Sequence, residues 1–404
     1  MGDSYSIALA PADIGNLFLA IAALTGLVIL HRVITAHDPS APLNRRFLLG
    51  LRVMMVLFAG RALLVITGLE GVRFFILLAA TLIPLCVLLL VEGLLRRHAP
   101  AWAKLWIAAG TFVFALASLW WSGSIDPARL WGLLAFQLSG FFIAGWLILT
   151  RDRASLSSAE NRMVDRLALS LFVLIPLAAA DFIVALLGLP MQTSPLGVLF
   201  LCWLAVSLGR AQTQHRAPLV WFFALVAGAL VTGVAVALIG GLDKDATILT
   251  GAVILAAVMV AVLAVEAQGL RADAQSQTLL HHLAQDRSTD ALGFLRALQA
   301  HPLVEGAGVI DAAQLGDFDG AVLQRIFHTT PVLRRADPSF TQGAEGDHIA
   351  HLFRLFDASH ILLVDDAPLT LVGLSMPALT TAPRSELELQ AVQRMAWLLS
   401  KETR

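Results

Sequence analysis

Two charged side chains, Arg61 and Asp181, stand inside stretches that are otherwise apolar and long enough to cross a bilayer. The first lies in "RRFLLGLRVMMVLFAGRALLVITG" and the second in "LALSLFVLIPLAAADFIVALLGLP". An unpaired charge at such depth costs at least ~2.5 kcal/mol, so each residue calls for a partner. Asp181 falls about 14 residues into its span and Arg61 about 15 into its own, roughly 21 and 22 Å at 1.5 Å of rise per residue. Both spans are read as running from inside to outside, so the two charges reach matching depth. We therefore expect Arg61 and Asp181 to face each other or to share a polar cavity. One reading is a pair that locks two helices together. The other is a ligand or proton site in the outer half of the bundle, for which a lone pair without a surrounding polar cluster is thin. Gln137 and Asn16 add little to it.

Arg52 lies nine residues before Arg61 and points to the opposite side of the helix at 100° per residue. Near the cytoplasmic interface it is expected to snorkel or to meet Glu92 at the end of the third span, as a structural interfacial pair. No other residues assemble a site. The eleven histidines lack metal-ligand spacing. His281 and His282 sit outside any acceptor box, and no Gly-rich phosphate loop follows them. "GLSMP" has Pro where a nucleophile elbow needs Gly, and "GDFDGA" is too short for a calcium loop. We expect no enzyme, no cofactor and no metal.

The elements that must position Arg61 and Asp181 are membrane helices. Hydrophobic residues make up 58% of the 404-residue chain and charged ones 14%, too apolar for an ordinary soluble protein. Nine windows could cross a membrane: about 14–34, 47–68, 73–95, 102–121, 130–149, 167–188, 194–209, 218–239 and 247–266. The seventh is the weakest, being short and opened by Pro195. Residues 1–265 hold 17 basic side chains against 12 acidic ones, and residues 266–404 hold 11 against 17. Neither half is basic enough for nucleic acid. With the N-terminus outside, the inner gaps collect twelve basic residues and the outer gaps three, which puts the C-terminal part in the cytoplasm. Trp102, Trp120, Trp121 and Trp131 fall near span ends, as an aromatic belt does. Cys86 and Cys202 lie in apolar runs and are expected as free thiols. No basic residue precedes the first apolar run, so a retained first span is expected rather than a cleaved leader.

The expected organisation is thus an α-helical polytopic bundle at 1–266, a connector helix at 267–300 and a small α/β domain at 301–404. In the connector, Leu263, Ala267, Leu270, Ala274, Gln277, His281 and Ala284 repeat at alternating four and three residues. That is either a weak seam joining two copies through 263–284 or the face of a solvated linker helix. From 302 the pattern predicts a strand at "GAGVID" and a helix capped by Asp319. A short segment at "PVLRRAD" and a helix capped by Asp347 follow. Then come a hairpin turning at Asp-Asp-Ala-Pro and a last helix opened by a capping box at Ser385 and Glu388.

Three pieces of this region resemble the GAF domain of bacterial membrane-anchored sensor proteins of the sensor histidine kinase type, here without the kinase. "VLQRIFHTTPVLRRADPSF" is similar to the family's helix and its "T-G-x-P-V-L-x-x-D" segment. "ILLVDDAPLTLVGLSM" resembles its central hairpin, and "SELELQAVQRMAWLLS" its closing helix. The chain departs from the pattern at "AAQLGDFDG", which stands where a second strand belongs. It also lacks a cysteine for a bilin and a cyclic-nucleotide signature. The resemblance implies a compact sensory or dimerising module and supplies no site.

The function expected first is an integral membrane sensory or regulatory protein of the bacterial inner membrane. It would relay a signal from the bundle to a GAF-like domain without catalytic output. Its expected partners are membrane lipids, a second copy and a cytoplasmic signalling protein, with no nucleic acid. The alternatives are a transporter or lipid-handling protein with Arg61 and Asp181 in the pathway, and a scaffold subunit of a membrane complex.

Overall fold

The computed structural model describes residues 10–37, 42–95, 97–119, 127–153, 191–210, 218–276, 306–316, 318–335, 344–376 and 383–402, together with Asn161, Val164, Asp165, Ala168, Asp181, Gly293, Leu298 and Val304. The chain divides into two compact units, one of Met1–Arg151, Arg166–Ala211 and His215–Gly269, the other of Leu270–Arg404 together with Asp152–Asp165 and Gln212–Gln214.

The first unit is helical: α1 (Pro11–His37), α2 (Pro42–Thr67), α3 (Val72–Leu95), α4 (Ala101–Leu119), α5 (Pro127–Leu149), α6 (Ser194–Arg210), α7 (Pro218–Gly240) and α8 (Lys244–Ser276). Four of these open on a proline, whose fixed φ suits a first helical turn where no N–H partner is needed. Gly68 and Gly241, at φ 65° and 61°, stop α2 and α7 in the left-handed conformation. Among the described residues, seven helices are long and apolar enough to cross a membrane; α6, with 17 residues, is the shorter one. The window expected at 167–188 lies outside the described residues except for Ala168 and Asp181, which are both helical.

Within this unit α1 packs on α2 and α6, α2 on α3, and α3 on both α4 and α5. The α3–α5 contact has a specific polar origin. Pro84 interrupts α3 from within and has no N–H to offer the carbonyl of Ala80, four residues earlier. Gln137 of α5 replaces that donor, its Nε2 lying 2.9 Å from the Ala80 oxygen. Leaving the carbonyl bare in an apolar surrounding would cost ~1–3 kcal/mol. Gln137 is therefore a fastening between two helices. The α7–α8 hairpin closes differently: Asp243 caps α8 through the Ala246 N–H at 2.8 Å. A Cβ placed on Gly233 would come within 2.9 Å of the Gly251 Cα, so the two backbones touch there.

In the second unit, β1 (Gly306–Ile310), α9 (Gly320–Thr329), β2 (Val332–Arg334), α10 (Ala344–Leu355), β3 (His360–Asp366), β4 (Leu369–Ser375) and α11 (Pro383–Glu402) build a small sheet region. The strands pair antiparallel in the order β1-β4-β3-β2, with Ile361 opposite Gly373 and Val309 opposite Val372. The period of two sorts the hairpin's side chains. Ile361, Leu363 and Leu371 enter one core with Leu323, Phe327, Leu352 and Phe353 from α9 and α10. Leu362, Val364, Val372 and Leu374 enter another with Leu389, Val392 and Ala396 from α11. Both faces of the sheet are thus occupied by the chain's own apolar side chains. Gln393 and Ser400 of α11 add bonds to the carbonyls of Leu363 and Val364, at 2.9 and 3.0 Å.

Of the local expectations one holds and three are corrected. Asp319 caps α9, accepting from the N–H groups of Ala321 and Val322. Asp347, however, is not a cap: α10 starts at Ala344 and takes Asp347 into its first turn. Ser385 does not open α11 either, because the helix already begins at Pro383 and takes Ser385 into its first turn. In the expected seam, Leu263 is fully buried and Ala267 6% exposed within the first unit, so those two positions are spent inside the chain. Residues 277–284 of that seam lie outside the described residues.

Candidate functional site

Arg61 of α2 lies against Asp181, with Nη1 2.9 Å from Oδ2. The pair is the centre of a larger polar group. The same Nη1 also donates to Gln192 Oε1 at 3.0 Å and to Ser194 Oγ at 2.8 Å. The Phe58 ring lies 5.5 Å from the guanidinium carbon, a cation–π contact. Asp181 in turn holds the start of α6. Its Oδ1 accepts from the N–H groups of Thr193 and Ser194 at 2.7 and 2.8 Å, and from the Thr193 hydroxyl at 3.3 Å. Its Oδ2 accepts from Arg61 and from the Ser194 hydroxyl.

The arrangement follows from helix chemistry. The carbonyl of Thr193 accepts from Leu196 and Gly197, so α6 begins there with Pro195 in its first turn. The first N–H groups of a helix have no partner in the helix itself and carry the positive end of its dipole. A carboxylate at that point satisfies them, and here Asp181 does so from another segment of the chain. Asn16 of α1 completes the group by accepting from the Gln192 N–H at 2.9 Å. The side chains of Arg61 and Asp181 are 23% and 9% exposed.

The sequence reading missed Gln192, Thr193 and Ser194, and undervalued Asn16. Their signal was "QTSP", a run of small polar residues before proline, which is a helix start. Gln137 belongs elsewhere, on Ala80. Trp102 and Trp131 are about half exposed. Trp120 and Trp121 lie outside the described residues.

The expected Arg52–Glu92 pair does not form. Glu92 Oε1 takes Lys104 Nζ at 2.8 Å and the Ala99 N–H at 2.7 Å, with His98 Nδ1 at 3.8 Å, while Arg52 is exposed. The tight connection from α3 to α4 places Lys104, in the first turns of α4, nearer than any residue on the outer side of α2. Local chain return wins over a partner on another helix.

A second carboxylate closes the far end of α6. Glu266 of α8 accepts from Trp203 Nε1 at 3.2 Å and from the Ser207 hydroxyl at 2.9 Å. One short helix is thus held at its start by Asp181 and near its end by Glu266. Among the described residues no group of three or more His, Cys, Asp or Glu side chains could hold a metal ion. Comparison with protein-family models, with curated proteins and with solved structures finds no match to this chain.

Proposed function

We propose that this is a multi-pass sensory or regulatory protein of a bacterial inner membrane. Occupancy or rearrangement of the Arg61–Asp181 group changes the set of α6, and α6 carries the change through Glu266 into α8 and the connector. The carrying observation is the double fastening of α6. Asp181 grips its first N–H groups, and Ser207 and Trp203 grip Glu266 near its end. α8 runs on as one helix to Ser276, beyond its apolar stretch. An uninterrupted helix transmits a shift or rotation that a loop would absorb.

In this reading the seven long helices, α6 and the 167–188 stretch make nine spans, with the N-terminus outside and the second unit cytoplasmic, as the twelve-to-three split of basic residues favours. The second unit is a GAF-like module that contacts a cytoplasmic signalling protein and performs no catalysis. A second copy joins through the connector beyond residue 270. The transporter reading is weaker. A transport carboxylate must exchange its ligands, and both Asp181 oxygens are taken up by five donors from this chain.

The test uses a reporter thiol at Ala274→Cys in the full chain. Cys86 and Cys202 are buried, so the new thiol is the reactive one. Asp181→Asn and Glu266→Gln should each change its labelling rate by a maleimide in native membranes, with unchanged protein levels. An identical rate in the parent and both variants would sink the relay.

A further inference from the structure

Arg61 has donors left over, while the carboxylate it pairs with is fully occupied. All the hydrogen bonds of Arg61 among the described residues are made by Nη1, which with two hydrogens already serves Asp181, Gln192 and Ser194. None of the described residues accepts from Nε or Nη2. Asp181 is saturated: two oxygens offer about four lone-pair sites, and five donors reach them. The N–H groups at the start of α6 are among those donors, so they are not free for a ligand either. What the group can still bind is therefore an acceptor, and the place is the Nε–Nη2 edge of Arg61.

That edge is the fork of two parallel N–H bonds that fits a carboxylate or a phosphate in bidentate fashion. The Phe58 ring sits 5.5 Å from the guanidinium carbon and limits its rotation. The side chain keeps 23% of its surface exposed, enough for a small group to reach it. Arg61 also lies six residues before the end of α2 at Thr67, or roughly 9 Å along the helix axis, within reach of a lipid headgroup or a solute entering from that end.

We propose that the Nε–Nη2 edge of Arg61 is a binding site for an oxyanion, a carboxylate or phosphate group, held in bidentate fashion beside the Asp181-capped start of α6. The inference rests on the sensory reading above and names the chemistry of what is sensed. A cation or a transferable proton is disfavoured on the same grounds, because each would need the carboxylate to release donors it already holds.

The experiment uses the full chain in phosphatidylcholine nanodiscs, with thermal unfolding as the readout. Acetate and inorganic phosphate are titrated against chloride at constant ionic strength, and a parallel set of discs contains phosphatidylglycerol. A saturable rise in Tm with the free anions that Arg61→Lys abolishes identifies a solute as the ligand. A rise seen only with phosphatidylglycerol, again lost in Arg61→Lys, identifies a lipid headgroup. No rise in either arm, or an equal rise in the lysine variant, overturns the proposal. Should the lysine variant fail to fold, phenylglyoxal labelling of the unaltered protein decides. The effective oxyanion must protect Arg61 and leave the exposed Arg52 reactive, and equal labelling of Arg61 with and without it overturns the site. Saturable protection with no change in the Ala274→Cys labelling rate would keep the oxyanion site and remove the relay.

Discussion

Asp181 touches the backbone of Ser194 and the guanidinium of Arg61 at the same time, with Oδ1 2.8 Å from the Ser194 N–H and Oδ2 2.9 Å from Nη1. One carboxylate thus neutralises a partly buried cation and caps a helix. The two tasks are energetically coupled: whatever weakens the ion pair also loosens the start of α6. A pair of this kind is sensitive to the loss of either partner, because the survivor is left charged in an apolar surrounding.

The first expectation concerns that asymmetry. Asp181→Ala should destabilise the full chain by about 3–5 kcal/mol, the range for breaking a buried ion pair from one side. Adding Arg61→Leu should recover part of the loss, leaving the uncapped start of α6 at about 1 kcal/mol. Unfolding by denaturant in detergent, run as a double-mutant cycle, checks this. Strictly additive single effects would mean that the two residues do not share an interaction.

The second concerns the proline in α3. Gln137→Leu strips the Ala80 carbonyl of its donor and should cost about 1–3 kcal/mol. Pro84→Ala restores a backbone N–H at the position that normally serves that carbonyl. The double variant should therefore be more stable than Gln137→Leu alone. If Pro84→Ala gives no rescue, Gln137 acts through packing and not through the missing bond.

The part of this site legible in the sequence is the part that breaks a pattern. Arg61 and Asp181 stand out because an apolar run makes any charge conspicuous, and equal depth then pairs them. Thr193 and Ser194 were invisible for the opposite reason. Polar residues between apolar runs look like ordinary loop, and Pro195 at the opening of the 194–209 window counted only as a weakness of that span. Glu92 was assigned the wrong cation because depth alone does not register the short return from α3 to α4 that delivers Lys104. The spacing of Leu263 and Ala267 was real, but periodicity cannot say whether a stripe faces a second copy or the chain's own helices. In the second unit the hairpin of β3 and β4 was readable because two apolar runs flank a turn, but both strands are buried on both faces, so the runs did not say which side chain enters which core. The starts of α10 and α11 were not, since caps compete over a few residues.

The third expectation concerns acid. Lys401 Nζ lies 2.7 Å from Asp366 Oδ1, and this hydrogen bond holds the carboxyl below its ordinary value of 3.8. A group whose folded pKa is depressed contributes stability above its unfolded pKa and loses it as pH falls through the folded one. The contribution is therefore fully present at neutral pH and fades only below about pH 4. Both side chains are substantially exposed, so the effect on stability is small and the titration itself is the better readout. Lys401→Met should raise the Asp366 pKa toward 3.8, followed by carboxyl-carbon NMR across the acid range. An unmoved titration curve would reject the assignment of the shift to Lys401.

The bare α-carbon of Gly233 has one more implication. Because α7 meets α8 there main chain against main chain, any side chain at Gly233 would have to push the two helices apart. Leu238 and Ile239, which α7 turns outward at 80% and 90% exposure, would be displaced with it.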